Sequence, residues 1–412
     1  MKAFRFYLPL VLALFILVAI PPADAAVFVQ CPEDTDGIDA DGDGDDANDI
    51  VCRHITAGDG YATMADGRRM YTFSFGDADD HQPLDTTGPP VAQVVANKAQ
   101  KAELPAPLIT LRQGQELYLT MTNVTMLHRP DLFDTHSVHW HGFPNAAPIF
   151  DGLPEPSPTA DMGASFTYYY KAVVPGTYFY HCHVEAAEHM QMGMIGNLWV
   201  YPSQDLDSPI TLPPPDGRTF DKFAYNDTDG STGYNKEIAL QLTGFDSVFH
   251  DASEQITPLP FADMEDDYTM INGRGYPDTI DPAVIFNQDG ATGFGAQKTP
   301  TIIDLVQGER LLMRVSNVST TDLYAIATTT GVPMKVVGRG AALLRGPSEE
   351  DTSYQVNVLN VGGGQAFDVL LDTLEVPPGK YFLYTTNLQF LSNGDQERGG
   401  IMTEINVSSS AP

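Results

Sequence analysis

The chain has 412 residues, 42% of them hydrophobic, which is enough for two or three separately cored units. A formal net charge of −32 argues against nucleic acid or an anionic membrane surface as partner; it suits cationic substrates, a basic redox partner or simple solubility. The 36 glycines and 31 prolines fit a turn-rich, all-β chain.

At the N-terminus, Lys2 and Arg5 precede an apolar run from Tyr7 to Ile20. The run ends in Pro21-Pro22, and Ala23-Asp24-Ala25 forms a small-x-small cleavage site. Residues 1–25 therefore read as a secretory signal peptide rather than a retained anchor, because the run is short for a spanning helix. The mature protein is expected to be secreted, periplasmic or at the cell surface, with no membrane span after cleavage.

Export gives the three cysteines meaning. In an oxidising compartment Cys31 and Cys52 can pair across an Asp-rich loop, which leaves Cys182 over. Residues 26–60 form that Asp-rich segment. Within it Asp39, Asp41 and Asp43, followed by Gly44, match the start of an EF-hand-like calcium loop, but the twelfth position holds Ile50 where such a loop uses Glu. The segment is read as a looser calcium-binding loop or a solvated acidic stretch.

From about Tyr61 the chain reads as short strands separated by turn signals. An internal repeat is present. Residues 111–125 (LRQGQELYLTMTNVT) resemble 305–319 (LVQGERLLMRVSNVS), and 175–180 (PGTYFY) resemble 378–383 (PGKYFL). Two copies of one β-sandwich are expected, over 61–203 and 235–412, joined by a linker over 204–234 that contains Pro213, Pro214 and Pro215.

Ten histidines are present, and six fall close together in the first repeat: His136, His139, His141, His181, His183 and His189. Side chains on a strand alternate faces with period two. His139 and His141 therefore share one face, as do His181 and His183, while His136 and Cys182 point to the other. Two ligand sets are predicted back to back. The first is His136, Cys182, His189 and Met194, in the spacing Cys-x6-His-x4-Met. Two imidazoles, a thiolate and a thioether suit a blue-copper electron-transfer site, and copper accounts for the unpaired Cys182. Met190 and Met192 are nearby, but Met194 is preferred as axial ligand because an apolar strand, 195–201, starts directly after it. The second set, His139, His141, His181 and His183, is all imidazole, suited to copper that binds oxygen or nitrogen oxides, or to zinc. Covalent bonds join Cys182 to His181 and His183, a short path for an electron between the sets.

These motifs, His136-x-x-His139-x-His141-Gly142 and His181-Cys182-His183 with His189 and Gly193-Met194, resemble the copper motifs of multicopper oxidases. The resemblance extends over residues 61–412, although only the first repeat carries the motifs. It implies two Greek-key cupredoxin β-sandwiches in tandem. It also implies type 1 copper on His136, Cys182, His189 and Met194. His139, His141, His181 and His183 would be half of a type 2/type 3 cluster, and a homotrimer of the kind formed by two-domain relatives is implied. The loop from Cys182 to His189 is longer than in laccases and shorter than in copper nitrite reductases.

The second repeat departs from the family. Tyr384, Thr385 and Thr386 stand where His181, Cys182 and His183 stand in the first, and no histidine follows His250. His54, His81, His128 and His250 lie outside the motif.

The resulting expectation is a secreted copper oxidoreductase. It would draw electrons from a phenol, a low-valent metal ion or a redox protein and pass them from the type 1 copper to a histidine-bound copper that reduces O2 or a nitrogen oxide. The catalytic set would be Cys182, His139, His141, His181 and His183. The alternative expectation is a non-enzymatic blue-copper electron carrier or copper-binding protein.

Overall fold

The computed structural model describes residues 31–45, 48–81, 91–288 and 293–409. The signal peptide expected over 1–25 lies outside them. Among the described residues no helix is long and apolar enough to cross a membrane.

The first half is a sandwich of two four-stranded sheets. One sheet runs β2-β1-β4-β6, from β1 (Ile50–Thr63), β2 (Arg69–Asp77), β4 (Glu116–Asn123) and β6 (Ser165–Lys171). The other runs β3-β8-β7-β5, from β3 (Ala106–Arg112), β5 (His139–His141), β7 (Gly176–His181) and β8 (Ile195–Tyr201). Two short helices, α1 (Val91–Lys98) and α2 (Ala186–Gln191), lie in the connections. Alternation along the strands builds the core: Leu117, Leu119 and Met121, Tyr168 and Tyr170, Tyr178 and Tyr180, and Leu198 and Val200 all enter one buried cluster.

The N-terminal boundary differs from the sequence expectation. Residues 50–60, read as part of the Asp-rich segment, are the leading part of β1, which pairs parallel with β4 from Ile50 and antiparallel with β2 from Ile55. Paired with β4 over 50–57 and with β2 from 55 onward, this stretch is fixed by ladder hydrogen bonds that a composition-based boundary does not register. Cys52 on β1 is disulfide-bonded to Cys31, which tethers the acidic segment to the first sheet.

The second half repeats the connectivity around its own core. Strand 310–317 pairs parallel with 236–245, as β4 does with β1, and 303–306 pairs parallel with 402–408, as β3 does with β8. The two repeats also share a side-chain device. Asn123 donates Nδ2 to the carbonyls of Asp134 (2.8 Å) and Ala160 (3.0 Å), and Asn317 donates to those of Asp322 (2.9 Å) and Val361 (2.8 Å).

The stretch 204–234 is ordered and packed: 210–211 pairs with 219–220, and Phe220, Phe223, Tyr225 and Tyr234 are buried. The sandwiches meet through β7. Thr177 Oγ1 donates to buried Asp368 (2.6 Å), whose carboxylate also faces Arg314, itself bonded to Glu237 (2.7 Å).

Candidate metal centres

Strands β5 and β7 set the first geometry. They pair antiparallel, His139 opposite His181 and Trp140 opposite Tyr180. Trp140 turns into the core against Phe143, Tyr170 and Tyr178. Period two then sends His139 and His141 to the other face, where they meet His181 and His183. Ligand atoms of His139, His141 and His181 lie within 4.8 Å of one another. The His183 ring stands 5.2 Å from His139 and 5.6 Å from His181.

Two contacts orient these rings. His139 Nδ1 donates to the Asp151 carbonyl (2.6 Å) and His181 Nδ1 to the Cys182 carbonyl (2.8 Å), which puts the lone pair of each ring on Nε2; that of His181 faces His141 Nδ1 at 3.3 Å. Burial holds His181 down at about 3 and His141 at about 4, and also lowers His139. These three imidazoles are neutral near pH 7 and competent as ligands.

On the opposite face Cys182 is fully buried, with His189 Nδ1 3.2 Å and His136 Nδ1 3.9 Å from its Sγ. Neither His136 Nε2 nor His189 Nε2 has a hydrogen-bond partner among the described residues. His189 Nε2 faces Asp134 at 3.8 Å. Burial lowers His136. Burial also opposes charge on His189, yet Cys182 and Asp134 outweigh it and push His189 up to about 10. A buried thiol and two imidazole nitrogens converging on it are a donor set that fits copper.

The loop holding these groups is closed by its own backbone. Cys182 N donates to Met194 O (3.2 Å) and Met194 N to His189 O (2.9 Å). Met192 and Met194 are both buried in the first core, whereas Met190 packs in a separate cluster with Phe179, Ile195 and Val318.

Several supporting residues were invisible in the sequence. Phe73 N bonds Met192 O (2.9 Å), its ring meets His189 edge-on at 5.8 Å, and Ser74 Oγ donates to Gly193 O (2.8 Å). His250, far along the chain, braces α2 through the Gln191 carbonyl (3.0 Å) and β2 through the Tyr71 carbonyl (2.6 Å). No local signal marks these contacts, because each joins segments distant in sequence.

The histidines outside the motif have other partners. His54 contacts Thr122 and the His81 carbonyl, His81 contacts Asp80 and Asn97, and His128 lies beside Tyr61 and Glu254. None joins the His139–His141–His181 group. The second sandwich offers Ala327 opposite Tyr384, where the first has His139 opposite His181. It does approach the histidine face: a Cβ added to Gly364 would meet His141 Nε2 at 3.6 Å.

Comparison with known proteins agrees with this architecture. Residues 91–205 and 245–409 each match a family described as multicopper oxidase. "Laccase abr2" of Aspergillus fumigatus is 32% identical over 192 residues, 44% of this chain but 28% of that protein, so the chain spans only a minor part of this relative. The fold is shared with a solved blue copper oxidase from Nitrosomonas europaea (TM-score 0.61, 22% identity, 87% of this chain and 86% of that one). It is also shared with a copper nitrite reductase from Nitrosomonas europaea (TM-score 0.53, 16% identity, 87% and 94%). With both sandwiches matched, and with the histidine and cysteine donors gathered on the first, the chain belongs to the multicopper oxidase family.

Proposed function

We propose that the protein is an exported copper oxidoreductase that takes electrons at a type 1 copper and delivers them to a histidine-bound copper, where O2 or a nitrogen oxide is reduced. His136, Cys182, His189 and Met194 would hold the first ion, and His139, His141, His181 and His183 the second. The observation that carries this reading is the convergence of two separate groups, His136, Cys182 and His189 in one and His139, His141 and His181 on β5 and β7 in the other, joined through the backbone of Cys182 and its neighbours His181 and His183.

The chain's own residues serve this task in three ways. Burial of Cys182, His136 and His189 keeps water from the first donor set, which limits rearrangement when the charge there changes. The Asp151 and Cys182 carbonyls fix which nitrogen His139 and His181 present. His139, His141 and His183 are only half-buried, so a small acceptor can reach that face. The same openness leaves room for a neighbouring copy, and a homotrimer is the assembly suggested by the resemblance to two-domain relatives. The donor is assigned to the class of phenols, low-valent metal ions or redox proteins, with the acidic surface favouring cations.

A second reading, a blue-copper electron carrier, is favoured by one observation: the second sandwich places Ala327 and Tyr384 where imidazoles would complete a trinuclear cluster. Copper content and the paramagnetic resonance spectrum of the copper-loaded protein separate the two. Two or more copper ions per chain, with a normal-type signal or a silent pair beside the blue one, support the oxidoreductase. A single ion with only the blue signal, and no consumption of O2 or nitrite with any donor, overturns it in favour of the carrier.

A further inference from the structure

The acidic loop ahead of β1 gathers carboxylates apart from the histidine and cysteine groups. Between Cys31 and Cys52 the sequence has nine acidic residues and no Lys or Arg. In the structure ligand oxygens of Asp39, Asp41 and Asp43 lie within 4.8 Å of one another. Oxygens bound to one calcium ion at 2.3–2.6 Å stand at most about 5 Å apart, so this spacing is that of a shared ion.

Asp41 gives the second, independent observation. It is 2% exposed, and its Oδ2 has no hydrogen-bond partner among the described residues. The nearest cationic group, Arg112 Nε, is 3.8 Å away, beyond hydrogen-bond distance, and Arg112 Nη1 is itself buried without a partner. A buried carboxylate oxygen without a hydrogen bond, in a side chain close to two further carboxylates, is costly unless a cation meets it. Burial, with the Asp43 and Asp49 charges, pushes Asp41 above its ordinary range, the direction expected of a site that wants positive charge.

The surroundings make the loop a built feature. Asp49 accepts from the backbone of Ala40 (2.6 Å) and Asp41 (3.0 Å), which sets the turn on which the carboxylates converge. Gly114, in the turn between β3 and β4, has a positive φ of 105° and no Cβ, so the Ala40 carbonyl can lie against it. The loop is thus seated on the first sandwich and closed at its base by the Cys31–Cys52 disulfide.

We propose that Asp39, Asp41 and Asp43 bind one calcium ion, which clamps the acidic loop onto the first sandwich. The donors are all hard carboxylate oxygens, which excludes copper and zinc as preferred occupants. Calcium is favoured over magnesium because three anionic side chains with open coordination suit its larger, flexible shell.

The test is calorimetric titration of the purified full chain with calcium chloride at 0.15 M KCl after chelator treatment, with thermal unfolding followed in parallel. One ion per chain is expected, with the unfolding midpoint rising by several degrees on calcium addition. Asp43→Asn, an exposed change that leaves the core untouched, and Asp41→Asn should each weaken binding at least tenfold and abolish the thermal shift. Absence of binding at 1 mM calcium overturns the proposal. So does unchanged affinity in Asp43→Asn, which would place the ion elsewhere on the acidic surface. Equal response to magnesium overturns the assignment to calcium.

Discussion

His139 and His181 stand opposite each other on β5 and β7 with rings 5.2 Å apart, while their chain neighbours Trp140 and Cys182 are buried. Adjacent residues at the end of β7, His181 and Cys182, thus enter two different groups of metal-binding side chains. Substitutions on either side should separate their contributions. Cys182→Ser is expected to remove the intense blue absorption, because only the thiolate gives that band, while copper at the histidine face persists. Electron transfer from any donor should fall at least a hundredfold. Retention of the blue colour in this variant would mean that the metal lies elsewhere.

The complementary change is the double substitution His139→Ala with His141→Ala. It should leave the blue band and its paramagnetic signal intact, lower copper content by at least one ion per chain and abolish O2 or nitrite consumption. If consumption survives, the four-histidine face is not where the acceptor is reduced.

Gly152 has a φ of 78°, and a Cβ there would run into the Val138 carbonyl and the His139 amide. Its freedom lets the Asp151 carbonyl reach His139 Nδ1. Gly152→Ala should therefore cost about 1–3 kcal/mol in unfolding free energy and weaken metal retention at the histidine face more than at Cys182. Dialysis against a chelator, followed by separate readings of the blue band and total copper, would show it; equal loss from both sites would refute the link.

Asp266 offers a pH test. Burial pushes it up to about 7 from an ordinary value of 3.8, and it accepts from Gln191 Nε2 (3.0 Å). A carboxyl that stays protonated in the fold favours folding at low pH, and this contribution is lost as pH rises through about 7. Asp266→Asn keeps an oxygen for Gln191 but cannot ionise. It should stabilise the protein at pH 8 by about 3 kcal/mol more than at pH 5, since about two pH units separate pH 5 from the folded value of about 7 and each unit corresponds to about 1.4 kcal/mol. Urea midpoints at the two pH values measure the difference, and identical effects would exclude ionisation of Asp266 as the cause.

The Cys31–Cys52 disulfide closes a span of 21 residues. Replacing both cysteines with serine should destabilise the first sandwich by about 2–4 kcal/mol through the freer unfolded chain. The blue band should remain, because Cys182 is separate; its loss in the double variant would show that the acidic segment also shapes the copper face.

Strand periodicity is local, so the sequence alone determined much here. Alternation in HWH and HCH assigned His139 and His141, and His181 and His183, to one face and Cys182 to the other; in the structure the four imidazoles lie together and Cys182 joins His136 and His189. The internal repeat likewise implied two sandwiches, and Ala327 and Tyr384 showed the second without the imidazoles of the first. The tertiary structure decided what sequence distance hides. The Asp151 carbonyl on His139, Asp134 beside His189, Phe73 and His250 bracing the ligand loop, and Gly364 against His141 all come from segments remote in the chain. The boundary at Ile50 was hidden for the same reason: a residue's place in a ladder depends on its partner strands, here β2 and β4, and not on the composition around it. Local pattern sets which way a side chain points; only the packed sheets set what it meets.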